Sequence, residues 1–193
     1  MTATPGAWQD DAMGPGTDGF ANASDNSGSS TVDQVDERRP LHGSFTLTFE
    51  FAAPLQRVFA AFSSLTERRR WFRIPGNSAD ASHELDFSVG GYELARGTFA
   101  AAGVAEHIEV RAQFLDIVDR QRIVYVHELL LDGHRRSVSL VTIELCPRGP
   151  GTQLIYTEQY VILLLTGDGS DDVAERKGGT RLLMNGLAAA LRA

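Results

Sequence analysis

The most regular hydrophobic pattern in the chain is a strict alternation of apolar and polar residues near residue 45. Such alternation is typical of a strand with one buried face and one wet face. In segment 44–51 the buried face is expected to carry Phe45, Leu47, Phe49 and Phe51. Shorter runs between turn residues predict six further strands, at 83–89, 92–99, 106–118, 121–131, 136–146 and 152–161. The Gly90-Gly91 pair predicts a tight hairpin between the first two of these six.

Helical periodicity appears in two places. After Pro54, an apolar stripe predicts a short helix, and a second short helix follows that carries Trp71 and Phe72. A longer helix is predicted at 173–192, with an apolar face of Leu183, Leu187, Ala190 and Leu191. Strands joined by short turns favour an antiparallel sheet, and the long helix must bury its apolar face against it. We therefore predict an α+β fold with a curved antiparallel sheet of about seven strands. The sheet would wrap round the C-terminal helix, with two short helices after the first strand and a cavity between sheet and helix.

The first 40 residues differ from the rest in composition. Segment 1–40 is rich in Gly, Ser, Asp and Asn, has a net charge of −5, and shows neither helical nor strand periodicity. It is expected to be a disordered acidic tail, because it cannot bury enough apolar surface to offset its ordering entropy. The folded domain is predicted to span 41–193. That domain has a net charge of −2, which argues against a nucleic-acid partner.

Composition also excludes several other classes of protein. The 193-residue chain has no run of about 18 apolar residues, so no membrane span is expected. Its N-terminus has no basic start and no apolar segment, so we expect no secretory signal and a cytoplasmic protein. The single cysteine, Cys146, cannot form an internal disulfide.

Several stretches resemble a known family. They include FEFAAPLQRVFAAFSSLTERRRWF (49–72), LDFSVGGYEL (85–94), GTQLIYTEQ (151–159) and GGTRLLMNGLAAAL (178–191). Together they resemble the START-like (SRPBCC) superfamily. Within it they are most similar to the bacterial group that resembles the C-terminal domain of activators of the heat-shock-protein-90 ATPase. The resemblance implies the helix-grip fold. The superfamily includes lipid carriers, hormone receptors, polyketide cyclases and co-chaperone domains, so fold alone does not give function.

No catalytic or cofactor motif occurs in the chain. HExxH, paired CxxC, P-loop and GxSxG patterns are absent, and the five histidines lack metal-ligand spacing. We therefore predict no metal site and no cofactor.

Two ionisable residues stand out because they share strand faces with apolar residues. His127 alternates with Ile123, Tyr125, Leu129 and Leu131, and Glu158 alternates with Leu154, Tyr156 and Tyr160. If these faces line the cavity, burial would lower the pKa of the histidine and raise that of the glutamate. The two residues would then be general acid–base groups or hydrogen-bond anchors for a ligand. The third alternative is that both lie in water.

Four further residues are candidate ligand contacts. Trp71 and Phe72 would form the rim of the pocket or pack in the core. Leu183 and Gly186 lie on a stripe of mostly small residues of the last helix, where missing side chains would leave volume for a ligand. The family often has tryptophan in the first turns of this helix. Here Gly178-Gly179 stands instead, which would widen the cavity mouth.

Three functions compete on this basis. The first is the binding of a small hydrophobic or aromatic molecule in the cavity, with Tyr125 and Tyr156 among the contacts. The second is a cyclase-like or hydrolase-like enzyme that uses His127 or Glu158. The third is a protein-interaction module similar to the heat-shock-protein-90 activators. The lack of a nucleophile constellation favours binding over catalysis, and the sequence leaves the oligomeric state open.

Overall fold

The computed structural model describes residues 39–74, 81–101 and 104–192. Except for its last two residues, the predicted acidic tail, residues 1–40, lies outside this part of the chain. The described residues form seven strands and three helices. In chain order they are β1 (Leu41–Phe51), α1 (Leu55–Ser63), α2 (Leu65–Trp71), β2 (Ser82–Leu85), β3 (Tyr92–Ala101), β4 (Val104–Val118), β5 (Arg122–Leu131), β6 (His134–Arg148), β7 (Gly151–Ile162) and α3 (Ser170–Arg192).

The strands form one antiparallel sheet in the order β1-β7-β6-β5-β4-β3-β2. Strands β2 to β7 follow one another as a meander, and β1 pairs with β7, where Phe49 lies opposite Leu154. The sheet is curved and α3 lies against it. The predicted α+β helix-grip architecture, including the two short helices after β1, is therefore confirmed.

The core lies between the inner face of the sheet and the helices. Val58 of α1 and Leu187 of α3 are fully buried, as are Ile143 of β6 and Leu154 of β7. The alternation that predicted β1 also holds, because Leu47 and Phe51 are buried and the threonines between the apolar residues are exposed. Period-2 patterning therefore fixes which side chains of each strand point towards α3.

The predicted tight hairpin at Gly90-Gly91 is wrong in detail. Strand β2 ends at Leu85, and a six-residue loop leads to β3. Gly90 has φ +85°, and the amide of Gly90 donates to the carbonyl of Phe114 in β4 (2.8 Å). The glycines therefore fasten the loop to β4 instead of forming a two-residue turn.

No helix among the described residues is both long enough and apolar enough to cross a lipid bilayer.

Candidate functional site

A cavity of about 340 Å³ lies between α3 and the inner face of β4 and β5. Its wall is mainly aliphatic, because the inward-facing positions of both strands carry branched apolar residues. The aliphatic wall includes Ile108, Val110, Leu129, Leu131, Ile162 and Leu183. Such a wall suits an apolar molecule, since a ligand pocket is mostly hydrophobic with a few placed polar groups.

His127 and Tyr156, one from each predicted strand face, line this cavity, whereas Glu158 does not border it. Tyr125, Tyr156 and Glu158 are buried, and His127 is half-buried on the cavity wall beside Tyr156. The alternative in which His127 and Glu158 lie in water is therefore wrong. The predicted alternation of inward and outward side chains holds in β5, because β5 pairs regularly with β6 as far as Leu129, where a bulge begins.

Arg176 of α3 ties these residues together. Its Nε donates to Oε1 of Glu158 (2.6 Å), Nη1 donates to the hydroxyl of Ser137 (3.2 Å), and Nη2 donates to that of Ser139 (2.8 Å). Nη2 also forms a short hydrogen bond to Nε2 of His127. We call Arg176, Glu158, His127 and the two serines the α3 cluster.

Glu158 is completely buried, yet its carboxylate is well supplied with donors. Besides Arg176, the hydroxyl of Ser139 donates to Oε1 (2.7 Å) and the hydroxyl of Tyr156 donates to Oε2 (3.1 Å). Both oxygens of this buried carboxylate therefore accept hydrogen bonds from neighbouring side chains.

Burial also sets the protonation of the neighbouring groups. Desolvation, together with the charge of Arg176, lowers the pKa of His127 to about 3. Desolvation raises the pKa of Tyr125 to about 12 and that of Tyr156 well above its ordinary value. At neutral pH the site therefore presents a neutral imidazole and two protonated phenols.

The sequence interpretation missed Arg176, although a signal was present. Arg176 lies four residues before Thr180 and seven before Leu183, so it shares the sheet-facing side of α3 with them. A lone arginine on the buried side of a helix and a lone glutamate on a buried strand face are complementary charges. That complementarity predicts a pair between Arg176 and Glu158.

A second ion cluster lies near α2 and was also missed. Arg68 binds Glu93 through two hydrogen bonds, Nε to Oε1 (2.7 Å) and Nη2 to Oε2 (2.8 Å). Nε2 of His83 lies 2.7 Å from Oε1 of the same glutamate. The guanidinium carbon lies 4.3 Å from the ring centroid of Trp71 and 4.4 Å from that of Phe72. We call Arg68, Glu93 and His83 the α2 cluster.

Both partners of the α2 salt bridge are buried. Burial alone would raise the pKa of Glu93, but the charge of Arg68 and the hydrogen bonds from His83 and Arg68 lower it to about 2. The cluster therefore joins helix α2 to strand β3 through charges that stay paired over the whole physiological pH range.

A small inner compartment of about 30 Å³ lies between the two clusters. Arg68 and Tyr125 are on its wall. His127, Tyr156 and Leu183 line both this compartment and the larger cavity, so the two spaces share a wall. A space of this size accommodates one water molecule or one small polar group.

Trp71 and Phe72 lie in different surroundings. Trp71 is buried, donates its Nε1–H to the carbonyl of Ala61 (2.9 Å), and lines the inner compartment. Phe72 is half-buried and lines the main cavity. Of the two roles predicted from the sequence, core packing therefore applies to Trp71 and a place on the pocket wall to Phe72.

The expectation for Gly186 is wrong, since this residue does not border either space. A Cβ at Gly186 would lie 3.2 Å from the carbonyl oxygen of Trp71, so the glycine allows α3 to pack closely on α2. Gly179 does line the cavity, and a Cβ there would meet open space. The glycine that leaves room at the cavity is therefore Gly179.

Within the described ranges there is no group of three or more His, Cys, Asp or Glu side chains placed to hold a metal ion.

The curved sheet gripping a C-terminal helix, with a cavity between them, defines a protein of the START-like (SRPBCC) class. A family model described as "Activator of Hsp90 ATPase homolog 1-like protein" matches residues 52–192, and the chain belongs to that family. No protein of curated function matches the chain significantly.

Solved structures agree with this assignment. An uncharacterized protein from Rhizobium leguminosarum is 31% identical, with a TM-score of 0.71 over 80% of this chain and 97% of its own. Mll3558 from Rhizobium loti is 38% identical, with a TM-score of 0.67 over 79% of this chain and 99% of its own. CalU16 from Micromonospora echinospora shares the fold at 15% identity, with a TM-score of 0.53 over 80% and 87% of the two chains.

Proposed function

We propose that the protein binds a small hydrophobic or aromatic molecule in the cavity between α3 and the sheet. The observation that carries the proposal is the cavity of about 340 Å³, aliphatic over most of its wall and polar on the side of the α3 cluster. A pocket of this kind takes an amphipathic ligand, whose apolar body is desolvated while its polar end is held in one orientation. The common use of this fold for hydrophobic ligands also supports the proposal.

Binding fits the α3 cluster better than acid–base catalysis does. Both carboxylate oxygens of Glu158 already accept hydrogen bonds, and Nε2 of His127 is engaged by Arg176. A histidine whose pKa lies at about 3 is a weak base at neutral pH, and it lacks the second ring proton that an imidazolium would donate as an acid. His127 is therefore better suited to anchoring a ligand, and Glu158 to holding Arg176 in place.

Two adjacent glycines of α3 offer a matched test. Gly179 lines the cavity, Gly178 does not, and a Cβ at either position would meet open space. Leucine at either position raises helix propensity by about 1 kcal/mol relative to glycine. Gly179→Leu should therefore occupy cavity volume, whereas Gly178→Leu changes the helix equally and leaves the cavity open.

The probe is N-phenyl-1-naphthylamine, an uncharged aromatic dye whose fluorescence rises in apolar surroundings. We expect saturable binding to the wild-type protein, unchanged affinity in Gly178→Leu, and at least 10-fold weaker binding in Gly179→Leu. Circular dichroism and thermal melts would show that both variants are folded. Equal dye binding by the two variants, or no binding by the wild type, would reject the cavity as the binding site.

A further inference from the structure

Most of the ionic groups around the two spaces are already paired with one another. Besides Arg176 with Glu158 and Arg68 with Glu93, Arg136 forms a short salt bridge to the buried Asp172. The two remaining charged residues on the main cavity wall, Arg73 and Glu175, are exposed and opposite in sign. A charged ligand would therefore find no unpaired counter-ion at the buried end, and desolvating its charge there would be costly.

The hydrogen bonds of the α3 cluster also fix the tautomer of His127. A guanidinium has only donors, so Nε2 of His127 must accept from Arg176 through its lone pair. The imidazole is neutral, because its pKa lies at about 3. Its single ring proton is therefore on Nδ1.

Nδ1 of His127 has no hydrogen-bond partner among the described residues. Yet every fully buried side-chain nitrogen and oxygen in that part of the chain has one. Nδ1 is therefore not fully buried, and His127 lies on the shared wall of the main cavity and the inner compartment. The N–H at Nδ1 is a hydrogen-bond donor left for a molecule that occupies this space.

We propose that the ligand is uncharged and carries an oxygen atom that accepts a hydrogen bond from Nδ1–H of His127. This inference rests on the proposed function and specifies the chemical class of ligand: an apolar molecule with a carbonyl, ether or hydroxyl oxygen at one end. Arg176 is a positioning residue, because it acts on the ligand through the tautomer of His127. The inner compartment beside His127 has room for one such oxygen.

Three naphthalenes of similar shape test the proposal by displacement of N-phenyl-1-naphthylamine. They are 2-acetylnaphthalene, which has a ketone oxygen, 2-isopropylnaphthalene, which has none, and 2-naphthoate, which is an anion. We expect the ketone to bind about 3- to 10-fold more tightly than the hydrocarbon, the range that one net hydrogen bond gives. The carboxylate is expected to bind most weakly of the three.

The wild-type protein provides a second measurement that needs no variant. Long-range ¹H–¹⁵N spectra of its histidines should show His127 with a protonated Nδ1 at neutral pH, and the ketone alone should shift that signal. In the His127→Phe variant the ketone should lose its advantage, so that ketone and hydrocarbon bind with equal affinity.

The outcomes separate this inference from the proposed function. Equal affinities for ketone and hydrocarbon, preference for the carboxylate, a proton on Nε2, or no displacement of the dye by any of the three would overturn the inference. If the dye still bound, the cavity would remain the binding site. If the dye itself did not bind, both the proposed function and this inference would fail.

Discussion

The two buried ion clusters share three residue types but connect them in opposite ways. Each contains an arginine from a helix, a glutamate from a strand and a histidine. In the α2 cluster the histidine, His83, bonds to the carboxylate of Glu93. In the α3 cluster the histidine, His127, bonds to the guanidinium of Arg176.

That difference decides what each cluster can do. A histidine that bonds to a carboxylate adds to the stability of the anion, and Arg68 is held further by two parallel hydrogen bonds and by aromatic rings. The α2 cluster is therefore a structural clamp between α2 and β3. A histidine that accepts from a guanidinium must stay neutral, which leaves one N–H of His127 for a ligand. The same three residue types thus give a clamp in one place and the proposed binding site in the other.

The strongest test of the clamp removes its cation. In Arg68→Met, Glu93 would remain buried without a counter-charge, and we expect the free energy of unfolding to fall by about 3–5 kcal/mol. In the double variant Arg68→Met with Glu93→Met, most of this loss should return, because no charge is left unpaired. Urea unfolding of the three proteins measures both effects. A single variant no less stable than the double variant would contradict the clamp.

A second test separates the clusters by pH. The folded-state pKa of His127 lies at about 3, below the unfolded value of 6.5. Between these values the unfolded chain binds a proton that the folded protein does not, so stability falls as the pH falls from 6.5. The pKa of Glu93 is lowered from 4.5 to about 2, so its contribution is present above pH 4.5 and is lost below it.

The wild-type free energy of unfolding should therefore drop by a few kcal/mol from pH 6.5 to pH 4 because of His127 alone. In His127→Phe this part of the pH dependence should disappear, while the loss below pH 4.5 from Glu93 remains. Urea unfolding at a series of pH values checks this. Parallel curves for the two proteins between pH 6.5 and 4.5 would show that His127 is not held neutral in the folded state.

The smallest expected changes in stability come from substitutions of two glycines in α3, one of which packs against α2. Gly186→Ala would place a methyl group 3.2 Å from the carbonyl oxygen of Trp71. We expect a net loss of about 1 kcal/mol, because the backbone contact outweighs the gain in helix propensity. Gly178→Ala, the matched control in open space, should gain about 1 kcal/mol. Thermal melts that show the same sign for both would contradict the close packing at Gly186.

The local pattern of hydrophobic and polar residues was enough to predict most of the fold. The alternation of Phe45, Leu47, Phe49 and Phe51, and the helical stripe that includes Leu187, each report which side of one element is buried. The loop at Gly90 was mispredicted because its geometry depends on Phe114 of β4, a partner that turn residues alone do not reveal. The correct topology also followed from the resemblance to the family.

Only some residues of the candidate site were predicted from the sequence. His127 and Glu158 were recognisable, because an ionisable residue interrupts an otherwise apolar strand face. Arg176 was not recognised, because its partners are 18 to 49 residues away in the chain and only the packing of α3 brings them together. Arg68 was hidden for a related reason, since it lies within three consecutive arginines that suggest a solvated surface.

The location of a bound ligand tests the central claim most directly. Methyl NMR spectra of isoleucine, leucine and valine side chains, recorded during titration with N-phenyl-1-naphthylamine, would give that location residue by residue. We predict saturable shifts at Ile108, Val110 and Leu129 on the cavity wall, and none at Val89 and Leu115, which are exposed and lie outside the cavity. Shifts concentrated at Val89 and Leu115, with the cavity methyl groups unchanged, would contradict a binding site between α3 and the sheet.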